Sequence, residues 1–77
     1  MLSSVSPLPA VTEYDFPDAM REVIAGRKVT RHAWPADECG LLLAGRLHLR
    51  KADGTLHQWL VSDGDMLATD WIVVREQ

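Results

Sequence analysis

The sequence predicts an α+β fold: an N-terminal helix packed on a small antiparallel β-sheet of about five strands, oligomeric because so short a chain buries little surface alone. Three observations carry that reading. Phe16, Ala19, Met20, Val23 and Ile24 form one apolar stripe at helical spacing. Downstream of Gly26 the periodicity changes from helical to alternating, with Leu47 and Leu49 set against Arg46, His48 and Arg50. Glycine- and aspartate-containing turns then punctuate the remaining chain at short intervals.

The elements follow in order. Residues 1–12 (MLSSVSPLPAVT) are rich in Ser and Pro without a clear period and read as a flexible leader, leaving 13–77 as a single domain. Asp15 is the expected N-cap, Asp18 stands where a capping-box carboxylate would, and Pro17 suits the first helical turn. Gly26 closes the helix in a left-handed conformation. Lys28 to His32 alternates as a strand with a wet face, and Trp34-Pro35 ends it. Leu41 to Ala44 reads as a short buried strand, which Gly45 connects tightly to Arg46–Lys51. Asp53-Gly54 predicts a type I′ hairpin turn into a partner strand, Leu56 to Val61. Ser62 to Asp65 forms a further turn, Met66 to Thr69 one helical or 3₁₀ turn, and Asp70 to Arg75 a closing β-branched strand.

Composition narrows the function. Eight basic against eleven acidic side chains give a net charge of −3, which argues against sequence-independent DNA binding. A local Arg cluster can still serve a small phosphate-bearing ligand. No apolar run reaches the roughly 18–20 residues of a membrane span, and no secretory signal is evident, so a cytoplasmic location is expected. The single cysteine, Cys39, permits no internal disulfide and reads as an ordinary free thiol.

Catalytic and metal chemistry find little support. His32, His48, His57 and Cys39 show no metal-ligand spacing, although His48 and His57 are expected to face each other across the Asp-Gly hairpin. Asp63, Asp65 and Asp70 read as turn residues rather than a calcium loop. No phosphate-cradling glycine motif is present, so a conventional nucleotide-binding enzyme is not expected; with no metal-ligand spacing either, neither a cofactor nor a metal is expected. Trp34, Trp59 and Trp71 are more informative. They either fill the core of a small protein or project into a pocket and stack on a flat base, with Arg31 and His32 reaching phosphates.

Two stretches, DFPDAMREVIAGRKVTRHAW and KADGTLHQWLVSDGDMLATDWIVV, resemble the small phage proteins called Thoeris anti-defence type two. The resemblance runs from Phe16 to Val74, and Trp59 followed by Asp65-Met66-Leu67-Ala68 and Asp70-Trp71 is its specific part. It implies a helix on an antiparallel sheet, assembled as a tetramer with ligand pockets between subunits; for this chain a homo-oligomer, dimer or tetramer, is expected. It also implies a sponge, which holds a cyclic ADP-ribose-type immune signal without degrading it, some relatives also taking cyclic oligonucleotides. By resemblance Arg31, His32 and Trp34 are ligand-binding residues, in the cytoplasm of an infected host, and Asp70 and Trp71 are either ligand-binding as well or only structural. One departure stands out: relatives carry a longer segment between their first two strands, where this chain has only Pro35 to Gly40.

The expected function is therefore non-enzymatic sequestration of a cyclic nucleotide signal. The alternative is a protein–protein interaction module or small toxin-like protein whose surface tryptophans contact a partner. An enzyme that cleaves the signal ranks below both, for want of a nucleophile, base or metal set.

Overall fold

The computed structural model describes residues 12–74. Most of the expected leader, and Arg75 of the last expected strand, lie outside the described residues. Seven elements follow one another: α1 (Phe16–Ile24), β1 (Lys28–Arg31), β2 (Cys39–Leu43), β3 (Arg46–Arg50), β4 (Leu56–Gln58), α2 (Asp63–Leu67) and β5 (Trp71–Val74). The strands form one antiparallel sheet in the order β4-β3-β2-β1-β5. The α+β class and the helix-on-sheet arrangement are as the sequence predicts.

Helix α1 begins where Asp15 accepts a hydrogen bond from the Asp18 N–H and ends before Gly26, whose φ is +100°. Asp18 does not complete a capping box; its carboxylate pairs with Arg21 at 2.7 Å. Ala19 and Val23 are fully buried on the sheet, with Phe16 and Met20 packed beside them. Ile24, expected in the same stripe, is 72% exposed. At 100° per residue it lies about 120° around the helix from the mean direction of Ala19 and Val23, beyond the width one sheet contact covers.

The strands correct several expectations. β2 starts two residues earlier than predicted, and its burial runs opposite to the reading of a buried Leu41–Ala44: Cys39 and Gly40 are buried, Leu42 and Leu43 exposed. β1 pairs with β2 only at Val29↔Gly40, so the far end of β2 extends past its cover. The turn with two left-handed residues is Ala44-Gly45, at φ 53° and 78°. At the β3–β4 connection only Gly54 is left-handed, so the predicted type I′ turn at Asp53-Gly54 is replaced by a three-residue loop with glycine last. Register separates the two histidines. His48 pairs with Gln58 and His57 with Leu49, which places His48 and His57 on opposite faces.

β4 is three residues long; beyond it Trp59 keeps one ladder bond, its N–H to the Leu47 carbonyl at 3.2 Å, and alternation turns its side chain into the core. Helix α2 starts three residues earlier than the predicted turn. Ser62 accepts from the Asp65 N–H while the Asp65 carboxylate accepts from the Ser62 N–H, a capping box with aspartate as its acid. Beyond β5, Tyr14 bridges Trp71 through both backbone hydrogen bonds (2.8 and 3.2 Å), so the segment before α1 covers part of that sheet edge.

Trp59 reaches the core because Gly40 lacks a side chain. A Cβ there would lie 2.5 Å from Trp59 Cζ3 and 2.8 Å from Cε3. Gly40→Ala is therefore expected to cost about 1–3 kcal/mol through overpacking. A denaturation midpoint equal to wild type would show that the ring can shift freely.

Candidate functional site

One face of the sheet carries α1 and the tryptophans; the other carries no covering element among the described residues. Arg31 ends β1 opposite Trp71 of β5, on the helix-bearing face. Its guanidinium makes two carboxylate contacts, Nε to Asp70 Oδ1 at 2.8 Å and an Nη to Asp65 Oδ1 at 3.2 Å. It also sits 5.8 Å from the Trp71 ring centroid, a cation–π distance.

Asp65 is the hub of this arrangement and is 7% exposed. Its carboxylate accepts from Arg31, from the Trp59 indole N–H at 3.4 Å and from the Ser62 N–H at 3.3 Å. Its backbone carbonyl accepts from the Trp71 indole N–H at 3.1 Å. Thus Asp65 and Asp70 are more than turn residues: they neutralise Arg31 and orient two tryptophans. The visible signal was Ser62-x-x-Asp65 as a capping box, which fixes Asp65 on a helix face instead of in a loop.

All three tryptophans meet. Trp34 packs edge-on against Trp59 at 5.6 Å and against Trp71 at 5.2 Å, and Trp59 lies 5.7 Å from Trp71. Trp71 is fully buried and Trp59 nearly so, whereas Trp34 is partly exposed. Of the two readings open for these residues, core filling holds for Trp59 and Trp71. The loop holding Trp34 is closed by its own N–H to the Arg31 carbonyl (3.0 Å) and by the Thr30 hydroxyl to the Glu38 carbonyl (2.7 Å).

Electrostatics follow from these contacts. Partial burial raises the Asp70 pKa, but the hydrogen bond and charge of Arg31, with the Ala33 N–H, outweigh it and leave it below the usual carboxylate range. The Asp70 hydrogen bond is also the main reason that the Arg31 pKa is raised. A carboxylate depressed by folding stabilises the fold above its unfolded value, about 3.9, and that stability is lost as pH falls through the folded value. Asp70→Asn is accordingly expected to be less stable than wild type at pH 7 and to show a shallower loss on acidification below about pH 4. Parallel acid-denaturation slopes for the two proteins would contradict this role for Asp70.

On the uncovered face a groove of about 740 Å³ lies between the 32–38 loop and the 51–55 turn. Its floor includes Thr30, Cys39, Arg50, Ile72 and Val74, and its walls include Arg31, His32, Trp34, Glu38 and Lys51. Lys51 Nζ approaches Glu38 Oε1 at 3.5 Å across it. The five residues expected from sequence therefore divide. Arg31, His32 and Trp34 line the groove; Asp70 and Trp71 do not, and stand behind Arg31 and Trp34. His32 additionally contacts Glu13 at 2.9 Å, with both side chains about half exposed. Arg50 and Lys51 are groove residues that sequence reasoning did not single out; alternation marks Arg50 only as part of a strand's polar face, and Lys51 follows that strand at the turn.

No group of histidine, cysteine, aspartate and glutamate able to hold a metal occurs among the described residues. Nor is any described helix long and apolar enough to cross a membrane. Fold and site together define a helix-capped antiparallel α+β domain with an ion-paired tryptophan centre behind an open groove. The chain belongs to the Thoeris anti-defense 2-like (Tad2-like) family, whose model matches residues 14–74. This agrees with the resemblance read from Phe16 to Val74, and the family's name carries the coarse role, anti-defence. No curated protein matches the chain.

Proposed function

We propose that this protein is a non-enzymatic, phage- or prophage-encoded sponge that binds a cyclic nucleotide immune signal in the host cytoplasm and withholds it from its effector. A cyclic ADP-ribose isomer is the first candidate and cyclic oligonucleotides the second. The observation carrying this reading is the groove, in a chain of anti-defence family: its volume suits a small ligand, and it combines the flat faces of Trp34 and His32 with basic side chains. Asp70 and Trp71 act from behind, holding Arg31 and Trp34 in place. A homo-oligomer, dimer or tetramer, fits the uncovered sheet face, where Leu43 and Leu56 are 45% and 46% exposed.

Draining a micromolar signal with comparable protein requires about −10 kcal/mol of binding free energy, or tens of nanomolar affinity. The interaction-module reading is weaker, because only Trp34 of the three tryptophans remains partly exposed. Thermal-shift screening against cyclic ADP-ribose isomers and cyclic di- and trinucleotides tests the proposal. Ligand at 100 times its dissociation constant adds about 2.7 kcal/mol, several degrees for a domain of this size. A panel without any shift overturns the binding claim, and a chemically altered compound recovered from the denatured complex overturns the non-enzymatic one.

A further inference from the structure

Arg31 is the groove's most conspicuous cation in sequence, yet its charge faces Asp65 and Asp70. Lys51 faces Glu38. Arg50 differs from both. Its side chain has no hydrogen-bond or carboxylate partner among the described residues. Register places it between Cys39 of β2 and Leu56 of β4 on the uncovered face, half-buried on the groove floor. A guanidinium at the floor of a groove that meets no carboxylate keeps its fork of donors available for an oxyanion, which it takes through two parallel N–H···O bonds. The strand fixes its backbone, so little ordering remains to be done on binding.

We propose that Arg50 is the residue of the groove that recognises the phosphate or pyrophosphate of its ligand. The assignment rests on the groove being the nucleotide site and names the contact that Arg31 is not free to make. Asp37, on the same rim, has no cation partner among the described residues and opposes an anion by charge. Its left-handed backbone, φ 67°, is one that asparagine also accepts. Asp37→Asn is therefore expected to tighten binding.

The test is a titration of the full chain with inorganic pyrophosphate at constant ionic strength, read by ¹⁵N NMR at the arginine Nε–H groups and backbone amides. Saturable shifts are expected at Arg50 and Lys51 and are expected to vanish in Arg50→Gln. Shifts of equal size at Arg21, Arg27 and Arg46, or a response unchanged in Arg50→Gln, overturn the assignment. Arg50→Lys keeps the charge without the fork and should bind more weakly than wild type but better than Arg50→Gln, which controls for a folding defect in the glutamine variant. With any nucleotide that the thermal screen identifies, Arg50→Gln should lose about tenfold or more in affinity, the size of a charge-assisted hydrogen bond. A nucleotide that binds Arg50→Gln as tightly as wild type removes Arg50 and leaves the sponge reading intact. Pyrophosphate that seats on Arg50 while no cyclic nucleotide binds does the reverse.

Discussion

Trp71→Ala is expected to remove a large part of the protein's stability at room temperature. The indole is fully buried, touches Phe16, Trp34 and Trp59 as ring neighbours, and donates its N–H to the Asp65 carbonyl. Truncating a buried tryptophan costs about 3–5 kcal/mol, and a chain of this length has a total stability on the order of 4–12 kcal/mol. The core offers no slack, since the other largest fully buried side chains are only Val23 and Val29. Trp71→Phe keeps a ring but leaves the Asp65 carbonyl without its indole donor, so a smaller loss of about 1–2 kcal/mol is expected. Urea titration followed by far-ultraviolet circular dichroism decides between them. An alanine variant within about 1 kcal/mol of wild type would mean that the three rings do not form one cooperative core.

Arg31→Met carries the next largest expected effect, about 2–4 kcal/mol at pH 7. Breaking a buried ion pair by removing one partner costs roughly 3–5 kcal/mol because the other charge remains buried. The figure is lower here because the Asp70 side chain is 26% exposed and can regain water. Asp65, at 10%, cannot do so to the same degree. Two further results follow from the same geometry. The deficit should narrow below about pH 4, as the wild type loses the Asp70 ion-pair contribution while pH falls toward that carboxylate's depressed folded value. Asp65→Asn should also cost less in the Arg31→Met background than alone, a coupling that a double-mutant cycle reads directly. Additive single and double variants would show that the Arg31–Asp65 contact contributes nothing of its own. Since Arg31→Met weakens the fold, its effect on ligand affinity mixes two causes. Arg50 is the cleaner position for functional tests.

Helix α1 was legible almost residue by residue, because its cap, stripe and glycine stop are local in sequence and depend on period alone. The strand sites were legible too, with errors at their ends. Register was not: a one-residue offset in β3–β4 put His48 and His57 on opposite faces, and no local signal specifies that offset. The same holds for the candidate site. Sequence proximity drew attention to Arg31, His32 and Trp34 together, and the structure does place all three around one groove. It could not reveal that Arg31 is paired across the fold with Asp65 and Asp70, 34 and 39 residues away.

What this sequence determines by itself is its class, its family and the run of its elements, since these follow from periodicity, turn chemistry and motif. Only the tertiary structure decided which charges are satisfied and which are free. Arg31 and Arg50 are both strand-end arginines in sequence. One lies on the helix-bearing face, opposite Trp71 and within reach of two carboxylates; the other lies on the bare face and reaches none among the described residues. That difference depends on sheet order and on which way a strand's alternation falls, and long-range packing sets both.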